Sequence, residues 1–292
     1  MPRIFDTHCH LNLPDFTNDW PEILERTLAG DCWLINVGAD LESSKLAVKQ
    51  AESLEEGFTT PKSSTEPASD LAGSDATQKG IWATVGFHPT DGGQVNEVTW
   101  AEIKKLAENK KVVAIGECGL EYYRHPTETE KEQQKKIFKD HIDLALELNK
   151  PLMIHCRPSQ NSMDAYEDAL NILGEYEAGF ATPKRTAKAG NFHFFAGDWE
   201  IAQKCLALGF TLSFTGVITF ANQYNEVIKN IPPEMLLAET DTPYVAPVPY
   251  RGQRCEPLYV AEVVKKLAEL KNLPYDQMAK ITVANGRRVF GV

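Results

Sequence analysis

The chain is 292 residues long, a length that fits two ordinary domains or one α/β barrel of roughly 250 residues. Hydrophobic residues make up 42% and charged residues 24%, so material for a core is ample. No apolar run approaches the ~20 residues that span a bilayer, and the first residues enter a strand-like pattern at once with no signal peptide. A membrane protein is excluded and secretion is not expected.

Asp and Glu number 41 against 30 Lys and Arg, a formal net charge of −11. Such a surface repels long polyanions, which argues against coating a nucleic acid by a basic face. A local site holding cations can still engage a phosphate. The six cysteines (Cys9, Cys32, Cys118, Cys156, Cys205 and Cys255) are scattered, with no CxxC. They read as thiols in a reducing compartment, so the expected location is cytoplasmic.

In chain order, β-rich runs are predicted over 4–11, 32–38, 81–87, 112–120, 152–157, 190–195, 210–216 and 235–241. Between them lie stretches with apolar residues at helical spacing. Over 128–149, Phe138, Ile142 and Ala145 share one stripe, and so do Ile137, His141, Leu144 and Leu148; over 257–272, Val260, Val263, Val264, Leu267 and Leu270 share one face. Eight strands each followed by a helical pattern predict an α/β fold of the (β/α)8 TIM barrel type, a single domain over residues 1–292. No GxGxxG follows an early strand, which disfavours the doubly wound alternative. Two segments, near 56–80 and 178–189, break the rhythm and are expected to be insertions on the helix-to-strand side, away from the catalytic loops.

The seven histidines carry most of the functional information. His8 and His10 flank Cys9 in the first strand, where residues two apart share a face within ~7 Å. Glu117 lies in the fourth strand, His155 near the end of the fifth, His193 in the sixth and Asp241 at the end of the eighth. Barrel active sites assemble at these carboxyl ends, and an inward imidazole or carboxylate without a partner is costly to bury. Six such groups predict a pair of divalent cations, Mg, Mn or Zn, with Glu117 as the bridge. His8, His10 and Asp241 are expected to hold one ion, His155 and His193 the other.

The ordered motifs DTHCHL, VGFHP, GECGLEYYR, PLMIHCR, FHFFAG, LSFTGVITF, ETDTPYVAPVPYRGQRCEP and ANGRRVFG resemble the TatD family of metal-dependent deoxyribonucleases over nearly the whole chain. The resemblance implies a TIM barrel of the amidohydrolase-like group and divalent-metal hydrolysis of DNA phosphodiesters, commonly from a 3′ end. By motif the family's metal ligands fall on His8, His10, Glu117, His155, His193 and Asp241. Three positions depart from its pattern: Glu121 where Asp is usual, Cys118 where an aliphatic is usual, and Cys255 where Asn is typical. The last puts local substrate contacts in question.

The expected chemistry is hydrolysis by a metal-activated water, with Asp241 as general base and Glu117 as the second catalytic carboxylate. His88, Arg124, His125, Arg251 and Arg254 are candidate contacts to a DNA substrate, single-stranded or at a 3′ end. Tyr122, Tyr123, Tyr244 and Tyr250 are candidates for stacking a base or for packing a loop. Glu239 and Asp6, two residues from ligands on the same strand faces, are expected to orient them. The rival enzyme reading is an amidohydrolase acting on C–N or lactone bonds. Such barrels often bridge their metals with a carboxylated lysine on the fourth strand, where this chain offers Glu117. A non-catalytic metal-binding barrel predicts missing ligands, and none is missing.

Overall fold

The computed structural model describes residues 3–53, 80–180 and 188–292. Its strands are β1 (Ile4–Cys9), β2 (Cys32–Val37), β3 (Ile81–Val85), β4 (Val112–Glu121), β5 (Leu152–Arg157), β6 (Gly190–Phe192), β7 (Phe210–Phe214) and β8 (Leu236–Ala238). They form one parallel sheet in sequential order. Helices α1 (Trp20–Ala29), α2 (Leu41–Ser53), α3 (Glu97–Ala107), α4 (Glu128–Glu147), α5 (Asp164–Glu175), α6 (Glu177–Phe180), α7 (Trp199–Ala207), α8 (Asn225–Asn230), α9 (Val260–Lys271) and α10 (Tyr275–Phe290) occupy the connections and the C-terminus. This is the (β/α)8 barrel. Among the described residues no helix is long and apolar enough to cross a membrane.

The strands are almost wholly buried, as parallel strands covered by helices must be. The helices start where local chemistry allows. Thr127 and Glu130 form a capping box at the head of α4, and Asp198 accepts the Ile201 N–H at the head of α7. Along α4 the buried stripe is Ile137, Phe138, His141, Ile142, Leu144 and Ala145, with lysines on the other face.

Several predicted strands end early, because at the carboxyl rim the chain leaves one ladder to reach another. Beyond Ala238 it turns from β7 toward β1: Thr240 N donates to Asp6 Oδ1 at 2.9 Å and Asp241 N to the His8 carbonyl at 2.9 Å. A bridge between Cys9 and Thr242 continues this closure. His193 and Asp241, predicted inside strands, therefore sit just past β6 and β8 on the rim.

The C-terminal helix was not among the predicted elements. Val283, Val289 and Phe290 of α10 pack with Phe5, Ile35, Val37, Trp82, Met153 and Leu237, while Asn285 donates to the Leu236 carbonyl at 2.9 Å. The helix thus plugs the end of the barrel opposite the site. Of the two expected insertions, 56–79 lies outside the described residues; of the other, 178–180 belong to α6 and 181–187 lie outside them.

Candidate metal centre

Glu117 stands at the middle of the site because β4 bulges there. Ile115 pairs with Leu152 and Cys118 with Ile154, so β4 carries one residue more than β5 over that interval. Gly116, with φ of +139°, makes the bulge possible: a Cβ there would lie 2.2 Å from the Met153 carbonyl oxygen. Asp241 has φ of +58°, an unusual conformation for a non-glycine residue, and it directs the carboxylate back over β1.

Around Glu117 the six expected ligands converge. Its Oε2 lies 3.8 Å from His8 Nε2 and 3.6 Å from His10 Nε2. Asp241 Oδ1 faces the same two nitrogens at 3.7 and 3.5 Å. The other oxygen, Oε1, lies 2.8 Å from His193 Nε2 and 3.1 Å from His155 Nδ1. One carboxylate therefore offers one oxygen to each of two nitrogen groups, as a bridge between two cations does.

Hydrogen bonds decide which nitrogen of His10 and of His155 looks inward. His10 Nδ1 faces the Val37 carbonyl at 2.9 Å and carries the proton, leaving the Nε2 lone pair toward Glu117. His155 Nε2 faces Glu121 Oε2 at 3.1 Å, which leaves Nδ1 for the centre. His193 Nδ1 faces Glu239 Oε1 at 3.5 Å, with Nε2 inward. An imidazole held on one nitrogen by an acceptor and free on the other is how metal-binding histidines are set. His8 Nε2 and His10 Nε2 lie only 3.0 Å apart. Two ring nitrogens this close, facing oxygens of Glu117 and Asp241, make a nitrogen and carboxylate set that fits a divalent cation.

The electrostatics agree. Against the effect of burial, His193, His88 and the bonds from His155 and His193 hold Glu117 well below the usual carboxylate range. Burial opposes protonation of His10, His155 and His193, yet Asp241 and Glu117 raise the first, Glu117 and Glu121 the second, and Glu117 and Glu239 the third. His8 is pushed well down by burial and by His193, whose ring stacks on it at 3.8 Å. Because a metal takes the deprotonated ring nitrogen, these upward shifts would make metal binding weaken as pH falls. Burial pushes Asp6 and Glu239 up, and each is tied by hydrogen bonds: Asp6 to Thr240 and His8 N, Glu239 to Ser213 and Phe194 N. Both thus brace the strand ends that carry His8, His193 and Asp241.

The mouth above the centre is a cavity of about 460 Å³ whose lining includes His10, His88, Glu117, Glu121, Arg124, His155, Arg157, His193, Asp241 and Tyr244. His88 caps the turn that follows it: Thr90 N donates to its Nδ1 at 3.2 Å, so in the neutral ring the proton sits on Nε2, 3.8 Å from Glu117 Oε1. His125 is placed elsewhere, in a neighbouring polar cavity of about 440 Å³ that shares Thr90, Glu121 and Arg124 with the mouth.

Two predicted phosphate contacts, Arg251 and Arg254, sit away from the mouth. Arg254 is committed to Asp19 through both guanidinium nitrogens, donates to the Asp15 carbonyl at 2.7 Å and lies over the Phe16 ring. Arg251 lies over Phe220 at 3.7 Å and donates to the Ala246 carbonyl. Neither lines the mouth. Both staple the loop after β8 to neighbouring elements, a use of arginine that a one-dimensional motif does not distinguish from anion binding.

The tyrosines separate as well. Tyr122 is buried and donates to Asp168 Oδ2 at 2.8 Å, and Tyr250 stacks on Tyr259 at 3.8 Å, both structural. Tyr244 and Tyr123 stay 54% and 44% exposed on the catalytic face. Cys255, whose replacement of Asn raised a question about substrate contacts, is fully buried, its N–H donating to the Pro243 carbonyl at 3.0 Å. The partnership of Glu121 with His155 was not predicted, nor was Arg157 at the mouth. The strand-face rule, applied to positions two residues beyond His155 and four beyond Glu117, could have raised both.

Residues 5–291 match the family described as TatD related DNase. The chain is 37% identical to the uncharacterized metal-dependent hydrolase YabD of Bacillus subtilis, covering 99% of each. It is 34% identical to the uncharacterized metal-dependent hydrolase YcfH of Escherichia coli, covering 99% of this chain and 96% of that one. In fold it is similar to the crystal structure of YjjV, a TatD homologue from E. coli, with a TM-score of 0.78 at 24% identity over 99% and 98% of the two chains. Four inward imidazoles and two carboxylates on a (β/α)8 rim, together with these matches, lead to one conclusion: the chain belongs to the TatD family of metal-dependent hydrolases.

Proposed function

We propose that the chain hydrolyses DNA phosphodiester bonds from a 3′ end, using two divalent cations, Mg, Mn or Zn. His8, His10 and Asp241 would hold one, His155 and His193 the other, and Glu117 both. When bound, such ions lower the pKa of water and polarise a phosphoryl oxygen. Asp241 would take the proton of the attacking water as the P–O bond to the leaving oxygen breaks, a role supported by its position at the edge of the cavity beside His8 and His10. His88 offers its Nε2–H as a fixed donor toward a phosphate oxygen, and Arg124 a charge at the mouth. His125, in the adjoining cavity, is a contact for substrate extending that way. Six free, buried thiols support the cytoplasm as its compartment.

The observation that carries phosphodiester over amide or lactone chemistry is Arg124, a guanidinium at the mouth with no hydrogen bond or ion pair among the described residues. Among the described residues no lysine lines the mouth to serve as a carboxylated bridge. The test is incubation of purified protein with a 5′-labelled single-stranded oligonucleotide and each divalent ion in turn, beside a panel of amides and lactones. A ladder shortening from the 3′ end is expected. Turnover of an amide or lactone without any nuclease activity would establish the rival.

A further inference from the structure

Arg157 closes β5 two residues past His155, hence on the same strand face and ~7 Å farther out, at the cavity rim. Its guanidinium carbon lies 3.9 Å from the centroid of the Tyr123 ring, which is itself 44% exposed. No hydrogen bond or ion pair engages it among the described residues, and the same holds for Arg124 on the preceding loop. Three other arginines are used up inside the fold: Arg26 by Glu256, Arg254 by Asp19, Arg288 by the Glu234 carbonyl and Asn285; Arg3, at the opposite end of β1, is not so engaged among the described residues.

In a chain with net charge −11, carboxylates are abundant, so two unpaired guanidiniums at one cavity mouth mark a place kept for an anion. Stacking on Tyr123 holds the Arg157 plane without consuming any of its five N–H donors. On the nuclease reading the centre below would hold one phosphate, through the cations and His88. Arg157 stands one pleat beyond it, and Tyr244 offers a second exposed ring on the rim.

Resting on the nuclease reading above, we infer that Arg157, seated on Tyr123 and acting with Arg124, forms a subsite for the phosphate adjoining the scissile one. The substrate is then a nucleic acid strand with at least two successive phosphates, and a single-phosphate ester binds without this contact. Arg157 is the residue that sets this preference.

The experiment compares thymidine dinucleotide, with one phosphodiester, and trinucleotide, with two, as substrates of wild type, Arg157→Ala and Arg157→Gln. In wild type KM is expected to fall about 10-fold or more from dinucleotide to trinucleotide, the range of one charge-assisted contact. Either variant should lose most of that gain, the effect lying in KM and not in kcat. In parallel, binding of labelled hexathymidylate is followed by fluorescence anisotropy against salt, where each lost phosphate contact flattens the log–log slope by about 0.7. Wild-type length dependence and slope in both variants, each with an unchanged melting transition, would overturn the subsite. If wild type cleaves no nucleic acid at all, the nuclease reading fails; the salt slope then still decides whether Arg157 binds phosphate.

Discussion

Glu121 Oε2 lies 3.1 Å from His155 Nε2, and through that bond a residue outside the expected ligand set determines which nitrogen of His155 faces Glu117. Its other oxygen, Oε1, is buried with no partner among the described residues. Where the resemblance would lead one to expect Asp, this chain reaches the His155 ring with an arm one methylene longer. Glu121→Ala should lower affinity for the ion held by His155 and His193 roughly 10–100-fold, with Glu121→Gln intermediate. Calorimetric titration with Mn or Zn reads it, and wild-type affinity in the alanine variant would remove the positioning role.

Asp241→Asn should yield folded protein with kcat reduced ~10²–10⁴-fold, the usual contribution of a positioned base. The oligonucleotide assay measures it, with circular dichroism confirming the fold. Wild-type turnover would exclude Asp241 as the base.

The double variant His155→Ala/His193→Ala should bind one divalent ion where wild type binds two, because His8, His10, Glu117 and Asp241 remain. Elemental analysis after dialysis reads the stoichiometry. Two ions retained in the variant would refute the division of ligands argued from the Glu117 oxygens.

His141 gives a pH dependence apart from the centre. Burial pushes it down to about 4; Nε2 accepts the Phe87 N–H at 3.0 Å while Nδ1 faces the Ile137 carbonyl at 2.7 Å. Both nitrogens are therefore satisfied in the neutral ring. Between pH 4 and about 6.5 the unfolded chain binds a proton that the native chain refuses, so stability falls as pH drops through that window. The expected loss is about 3 kcal/mol. Urea unfolding at pH 7 and pH 4.5 tests this, and His141→Gln should show a shallower decline than wild type.

Gly116→Ala should destabilise the protein by ~3 kcal/mol or more, since the new Cβ meets the Met153 carbonyl at 2.2 Å with φ at +139°. Metal affinity should fall with it, because the bulge carries Glu117. A melting transition equal to wild type would contradict the account of the bulge.

The barrel, its strand order and the residue types of the centre were legible in the sequence. Alternation tells which side chains share a face, and eight apolar runs interleaved with helical stripes have few ways to close. So His8, His10, Glu117, His155, His193 and Asp241 could be brought together on paper. What only the tertiary structure decided were pairings across strands: the β4 bulge that centres Glu117, the Glu121–His155 bond, the turn of the chain beyond β8 onto Asp6, and the seating of α10 beneath the barrel. It also separated Arg254, spent on Asp19, from Arg157, which is not spent. The reason is physical. Periodicity constrains neighbours along one chain segment, whereas a hydrogen-bond partner hundreds of residues away depends on register and on the distances left once every other group is packed.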